Sequence, residues 1–254
     1  MADVKLVMDI IAPSDPNDPA SAQFRDRPFF SEAARPCRVL FIPQFGDAPV
    51  DPEIAAAVAK SADHLLKMGH NVETGPAPFE VSSIESAWPV INQGGLAWLS
   101  RLHSGFPLEA SNQMRELAKL GNNLSAADYV GALSSVRCVE RQLSIAFETY
   151  DLIMTPSAAA LPWKADQAFP GEIAGQPVGP RGHAVFTAFV NLAGAAEINL
   201  PCGQSSSGLP IGLQLVSRPG SDGLLIGIAS QCETAGLWTM TTPNHIPALN
   251  VLAV

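Results

Sequence analysis

Charge is scarce in this chain: Asp, Glu, Lys and Arg make up 15% of its 254 residues, against about 25% in an ordinary soluble domain. The apolar share of 47% is unexceptional, so the shortage falls on the polar surface. Two readings follow: part of the surface is meant to be covered by more polypeptide, or this is a compact domain rich in Ala and Pro. Lys plus Arg number 15 against 24 for Asp plus Glu, a net charge of −9, and no basic cluster interrupts that balance. Nucleic acid and anionic membrane are therefore not expected partners. Every apolar run is broken by Pro, Gly or charge well short of the ~20 residues of a membrane span, so none is expected. The opening MADVKLVMDIIA has two Asp beside one Lys and no small-residue cleavage site, which argues against a leader peptide. C-x-x-C pairs are also missing. Cys37, Cys138, Cys202 and Cys232 stand far apart, which excludes a zinc knuckle or dense disulfide framework and fits a reducing cytoplasm.

The common catalytic patterns are absent too. A nucleophile elbow needs G-x-S-x-G on a strand-to-helix turn; the nearest runs, Gly203–Gly208 and Ser221–Gly223, have the wrong spacing and read as solvated turns. The five histidines are scattered, none three or four residues from another, so no helical metal site is expected. His64 and His70 flank a helix end, where they complement the dipole. His183 adjoins a long loop and reads as a surface or capping residue in preference to a pocket residue. Gly94-Gly95 is an isolated pair, with no strand, glycine loop and helix in the order a nucleotide cradle requires. No cofactor and no metal are expected.

What is present is a succession of α/β signals. Val4, Leu6, Val7, Ile10 and Ile11 fall at helical spacing, ahead of a crossing rich in Pro, Asp and Ser from Pro13 to Pro28. That helix starts at Met1 without a cap signal, as though its start were a cut. CRVLFIP (Cys37–Pro43) suits a strand buried on both faces, and Asp51-Pro52 starts a helix to about Met68 with the stripe Ile54, Val58, Ala62, Leu65 and Leu66. His70–Glu73 returns as a strand, giving a βαβ unit with an expected right-handed crossover. Ile84–Leu102, Pro107–Leu120 and Ser125–Phe147 read as three helices, the last capped by Ser125. Asp151–Pro156 is a further buried strand, followed by a loop to about His183. Phe186–Gly194 reads as a short helix closed by Gly, and Glu197–Cys202 with Ile211–Ser217 as a hairpin. A last helix runs from Asp222 to Gly236. The expected divisions are 1–36 (helix and crossing), 37–80 (βαβ unit), 81–149 (helical layer), 150–240 (pocket-wall strands and helices) and 241–254 (peripheral tail).

Three segments are more specific than their elements: YDLIMTPSAAALPW (Tyr150–Trp163), FTAFVNLAGAAEINLPCG (Phe186–Gly203) and GLPIGLQLVSRPGSDGLLIGIASQCE (Gly208–Glu233). In that order they resemble the C-terminal part of the amidase signature family. Arg38–Glu73 is similar to the family's central strand-helix-strand segment, and ADVKLVMDIIAPSDPNDP to the helix and loop before it. The resemblance implies an α/β fold with a mixed, largely parallel sheet flanked by helices, and hydrolysis of amide C–N bonds through an acyl-enzyme on serine. In the family a lysine acts as base through a second serine, and a Gly- and Ser-rich loop stabilises the oxyanion. Those parts stand, in the family, before the helix at which this chain begins. Lys5, Lys60, Lys67, Lys119 and Lys164 lack the family context, so no catalytic residue carries over.

The resemblance therefore implies a pocket-building C-terminal portion, inactive alone, whose partner is a missing N-terminal half or another copy of itself. A small-molecule amide is the implied ligand of the complete enzyme. The alternative is a non-catalytic interaction module. Implied pocket positions are Thr155, Pro156 and the loop as far as Trp163; Trp163 either contacts substrate or packs the loop. Asn191 fixes backbone geometry, and Pro201-Cys202-Gly203 shapes a strand end, with nothing near Cys202 to activate its thiol. Where the family commonly has Gly, a bulky residue, Pro and a small residue, this chain reads Gly194, Ala195, Ala196, Glu197. Glu197 is either a polar substrate determinant or a solvent-facing strand end, with solvent favoured.

Overall fold

The computed structural model describes residues 1–24 and 35–238; the tail expected at 241–254 and part of the Pro-rich crossing lie outside them. Helix α1 (Ala2–Ile11) follows the expected spacing, yet none of its residues is buried. Strand β1 (Arg38–Phe41) leads to α2 (Pro52–Lys67), whose start is fixed locally: the Asp51 side chain accepts the Glu53 N–H at 2.9 Å, and Pro52 occupies a position where no N–H is needed. The expected stripe of α2 is buried at Ile54, Val58, Ala62 and Leu65, whereas Leu66, expected with them, turns outward and is exposed; β2 (Asn71–Thr74) returns beside β1.

Four helices follow, α3 (Val81–Leu102), α4 (Phe106–Glu109), α5 (Asn112–Gly121) and α6 (Ala126–Thr149). The single helix expected over Pro107–Leu120 is two. Ser111 leaves helical geometry at the junction, and its hydroxyl accepts the Met114 N–H at 3.3 Å to start α5 afresh. At Ser125 the expected cap is a full capping box, with Asp128 reaching back to the Ser125 N–H. Strand β3 (Leu152–Pro156) is buried throughout. The loop after it contains a two-strand hairpin, β4 (Glu172–Ile173) and β5 (Gln176–Pro177), too short to leave a sequence period. Then come α7 (Ala188–Ala193), β6 (Ala196–Gln204), β7 (Pro210–Ser217) and α8 (Asp222–Thr234). Gly194 ends α7 in the left-handed region at φ +59°, with the Ala195 N–H bonded back to the Val190 carbonyl.

The main sheet runs β2-β1-β3-β7-β6. Pairings β1–β2 and β1–β3 are parallel, β3–β7 and β6–β7 antiparallel, so only β7 opposes the common direction. This is the mixed, mostly parallel α/β sheet expected, and the expected hairpin of the last two strands is present. One face packs on α2 and α8 through Val39, Phe41, Met154, Leu213 and Leu215 against Val58, Leu65, Leu225 and Ile228. The other packs on α3, α6 and α7 through Leu40, Ile42, Ile153 and Val216 against Ile84, Val139, Leu143 and Phe189. Each such side chain contributes about 1.5–3 kcal/mol by leaving water. Among the described residues β6 is an edge: β7 is its one neighbour, and its Glu197 and Asn199 stay exposed.

Candidate functional site

The C-terminal end of β3 collects the polar groups that the core excludes. Ser157, the first residue past the strand, donates its backbone N–H to the Gly212 carbonyl at 3.0 Å. Its Oγ donates to Asn199 Oδ1 at 2.6 Å, and Asn199 Nδ2 donates in turn to Glu197 Oε1 at 3.4 Å. Glu197 and Asn199 share a face because strand side chains repeat every two residues. A polar line thus crosses from β3 to the edge strand β6. Glu197 is exposed as a residue, but its neighbours partly desolvate the carboxyl and raise it above the ordinary carboxylate range, opposed in part by the Asn199 hydrogen bond. Gly212 makes the close approach possible, since a Cβ there would lie 2.8 Å from Ser157 Oγ. Among the described residues nothing basic bonds the Ser157 hydroxyl: its acceptor is a neutral amide, which cannot draw off a proton as an activated serine requires.

Beside this line is a cavity of 300 Å³ bounded by Ile54, Ser157, Leu161, Trp163, Ile211 and Gly212. Trp163, 36% exposed, forms its wall. The indole Nε1 donates to the Gln167 carbonyl at 2.9 Å and the ring rests on His183 at 4.6 Å. His183, read from sequence as a surface or capping residue, is half-buried beneath that ring. Burial first, and then the Arg181 charge, lower its pKa and favour the neutral imidazole.

The remaining candidates lie farther back. Thr155 is 0% exposed; its hydroxyl donates to the Pro156 carbonyl at 2.9 Å and accepts from Gln214 Nε2 at 3.3 Å. Gln214, also buried, donates to the Phe186 carbonyl at 3.0 Å, so β3, β7 and the approach to α7 are tied together. Pro156 ends β3 opposite Leu213. Asn191 turns its amide back onto the Thr187 carbonyl of its own helix at 3.3 Å. Cys202 points to the opposite sheet face, at the bulge between Pro201 and Gly203, and packs toward α2. Its thiol is pushed up to about 11 by burial, which a hydrogen bond with Ser61 only partly offsets. The serines of the β6–β7 turn are occupied by structure: Ser206 Oγ donates to Glu53 Oε1 at 2.8 Å, pinning the turn to the start of α2. Among the described residues no group of three or more His, Cys, Asp and Glu could hold a metal ion.

A family model for amidases matches residues 1–226. The chain belongs to the amidase signature family. A glutamyl-tRNA(Gln) amidotransferase subunit of Moorella thermoacetica is 28% identical to this amidase-family chain over 260 residues, covering 92% of the chain and 52% of that relative. The corresponding protein of Staphylococcus epidermidis is 28% identical over 259 residues, with 91% and 52% covered. Solved structures share the fold: a bacterial aryl acylamidase of the family superposes with a TM-score of 0.76 at 21% identity, over 89% of this chain and 49% of that one. For 6-aminohexanoate cyclic dimer hydrolase in complex with substrate, the TM-score is 0.74 at 22% identity, over 93% and 53%. The chain spans about half the length of the curated relatives it matches.

Sequence reasoning about this amidase-family segment named Thr155, Pro156 and the loop as far as Trp163, without singling out Ser157 within that loop. It named Glu197 but not Asn199. The signal was there for Asn199, which follows Glu197 at strand period on one face. For Ser157 no local signal existed, because its partner is 42 residues away. Glu197 itself, at the departure from the family pattern, lies on the exposed side of β6 and retains a polar neighbour.

Proposed function

We propose that this chain is the C-terminal, pocket-building part of an enzyme that hydrolyses linear amide C–N bonds, and that it does not turn over substrate alone. The carrying observation is the Ser157–Asn199–Glu197 line: a hydroxyl, an amide and a carboxyl brought to the open end of the sheet, with no base on the serine among the described residues. An acyl-enzyme route needs a serine whose proton is removed and N–H donors for the oxyanion. This reading assigns both to polypeptide outside these residues. The chain's share is the wall: Trp163 and the loop that runs to it from Ser157 against the substrate body, with Pro156 behind them ending the strand, and Glu197 as a polar determinant at the edge. Thr155, Asn191 and Cys202 act from behind by holding backbone. No cofactor enters this route, and the reading goes with a cytoplasmic enzyme. No described helix is long and apolar enough to cross a membrane.

A second reading, an interaction module that pairs with a separate N-terminal half or with itself, draws on α1. Leu6, Ile10 and Ile11 there are 63%, 72% and 68% exposed, and Leu6 and Ile10 fall on one face at i, i+4. Both readings ask for cover over that stripe and over the β6 edge.

Purified chain incubated with p-nitroacetanilide tests the first reading. No p-nitroaniline above the buffer rate is expected. Turnover that Ser157→Ala abolishes would overturn it, since the nucleophile would then be internal. Light scattering over a concentration series tests the cover: self-association is expected, weakened by Leu6→Glu with Ile10→Lys. A chain monomeric at every concentration counts against both readings.

A further inference from the structure

A cavity of 370 Å³ opens between the C-terminal half of α6, the turn from α7 into β6 and the residues just past β7. Its volume is within the range of small-molecule sites. It lies at the end of the sheet where β3 and β6 begin and β7 finishes. Ser157 stands at the other end of β3, five residues away at about 3.3 Å each. Glu140, Ser144 and Glu148 follow one another at every fourth position of α6, so they share one side of the helix. Leu143 and Phe147, both buried, give the cavity an apolar floor behind them. Past β7, Arg218 and Pro219 supply a further wall.

Charge is laid out unevenly around this space. Glu148 stands in the last turn of α6, where the terminal carbonyls already carry partial negative charge and a basic residue is favoured; α6 has none there. Arg38 Nη2 is spent on the Glu148 carbonyl at 3.2 Å and leaves the carboxylate to itself. Glu140 and Glu148 thus make α6 the negative wall, and Arg218 is the cation of the wall past β7. Among the described residues none of the three takes part in an ion pair, although all three bound one cavity. Opposite charges are held apart across a gap, each acid with two acceptor oxygens and the guanidinium with five N–H donors.

We propose that this cavity binds a free α-amino acid with an apolar side chain, its ammonium against Glu140 and Glu148, its carboxylate paired with Arg218, and its side chain on Leu143, Phe147 and Pro219. A simple amine meets the acids but leaves the guanidinium facing a like charge or nothing. A simple carboxylate meets Arg218 but faces two acids. A zwitterion places one charge on each wall and makes a charge-assisted contact at both ends. The inference stands apart from amide hydrolysis, and its test requires no turnover.

The test is calorimetric titration of the chain with L-leucine, with 3-methylbutylamine, which lacks its carboxylate, and with 4-methylpentanoate, which lacks its ammonium. L-Leucine is expected to bind about tenfold more tightly than either, since each fragment loses one charge-assisted contact. Arg218→Gln is expected to bring L-leucine to the level of the amine while leaving the amine no weaker. Glu140→Gln combined with Glu148→Gln brings L-leucine to the parent's level for the acid. Ser144→Trp, which fills the cavity, removes binding of all three probes. All four positions are exposed, and circular dichroism checks the fold of each variant; should one fail, the other two decide. The proposal is overturned by either fragment binding as tightly as L-leucine, by an L-leucine affinity that survives Arg218→Gln, the double substitution or Ser144→Trp, or by no binding of any probe at millimolar concentration.

Discussion

Replacing Asp151 tests how the site-bearing strand is held. Asp151 precedes β3 and is buried to 9% exposure. Its Oδ2 accepts the Arg38 backbone N–H at 2.7 Å, and its Oδ1 meets Arg35 Nη2 at 2.8 Å. Its carbonyl accepts from Ser217 Oγ at 2.9 Å, and its N–H donates to the Arg38 carbonyl at 2.8 Å. One residue thus joins β1, β3 and β7, and so fixes where β3 ends and where Ser157 emerges. The carboxylate's bond to the Arg38 N–H is charge-assisted, about 1.5–3 kcal/mol. The Arg35 side chain is 51% exposed, so screening reduces that pair to about 0.2–1 kcal/mol. Asp151→Asn keeps a neutral acceptor for Arg38 and should cost about 1–3 kcal/mol. Asp151→Ala also strands the Arg38 N–H, adding about 1–3 kcal/mol, for about 2–6 kcal/mol in all. Urea unfolding midpoints at pH 7 measure both. Burial pushes the Asp151 carboxyl up, but Arg35 and the Arg38 N–H together outweigh it and hold it below the ordinary range. The sign follows: this stability is present above the ordinary carboxylate pKa and is lost as pH falls through the lower folded value, so parent and Asp151→Asn should converge in acid. Asn costing as much as Ala, or a gap that persists in acid, would refute the reasoning.

Gly212→Ala places a methyl group 2.8 Å from Ser157 Oγ; we expect a loss of about 1–3 kcal/mol, with a crystal structure showing the hydroxyl moved off Asn199. Glu197→Gln should be neutral or stabilising at pH 7, because partial desolvation by its neighbours disfavours the ionised carboxyl. The raised folded pKa means the parent loses ground to the variant as pH rises through it, so the two unfolding midpoints should approach each other in acid; a destabilised variant at pH 7 would instead identify an unseen partner for the charge. Cys202 and Cys232, buried and both pushed up to about 11, should resist iodoacetamide at pH 8 until urea is added, as read by peptide mass. Labelling of either in the native protein would contradict their packing.

The elements the sequence disclosed are those whose signals close within a few residues. Asp51-Pro52, Ser125 with Asp128, and Gly194 each set a helix end through bonds to near neighbours, so α2, α6 and α7 were legible. The short hairpin β4–β5 was not, because two-residue strands carry no period. The break at Ser111 was missed because a serine inside an apolar helical pattern does not announce whether it caps or continues. For the site, the order of motifs gave the family and the strand end, but not which way each side chain faces.

By itself, then, the sequence determined the class of fold and the family, since these follow from hydrophobic period, local capping and motif order. Tertiary structure alone decided that Thr155 turns inward while Ser157 meets Asn199, because β3 is buried on both faces and offers no alternation from which to read parity. It alone set the Arg181 guanidinium over Trp88. Contacts between distant residues depend on strand register and helix rotation, which the whole core fixes at once.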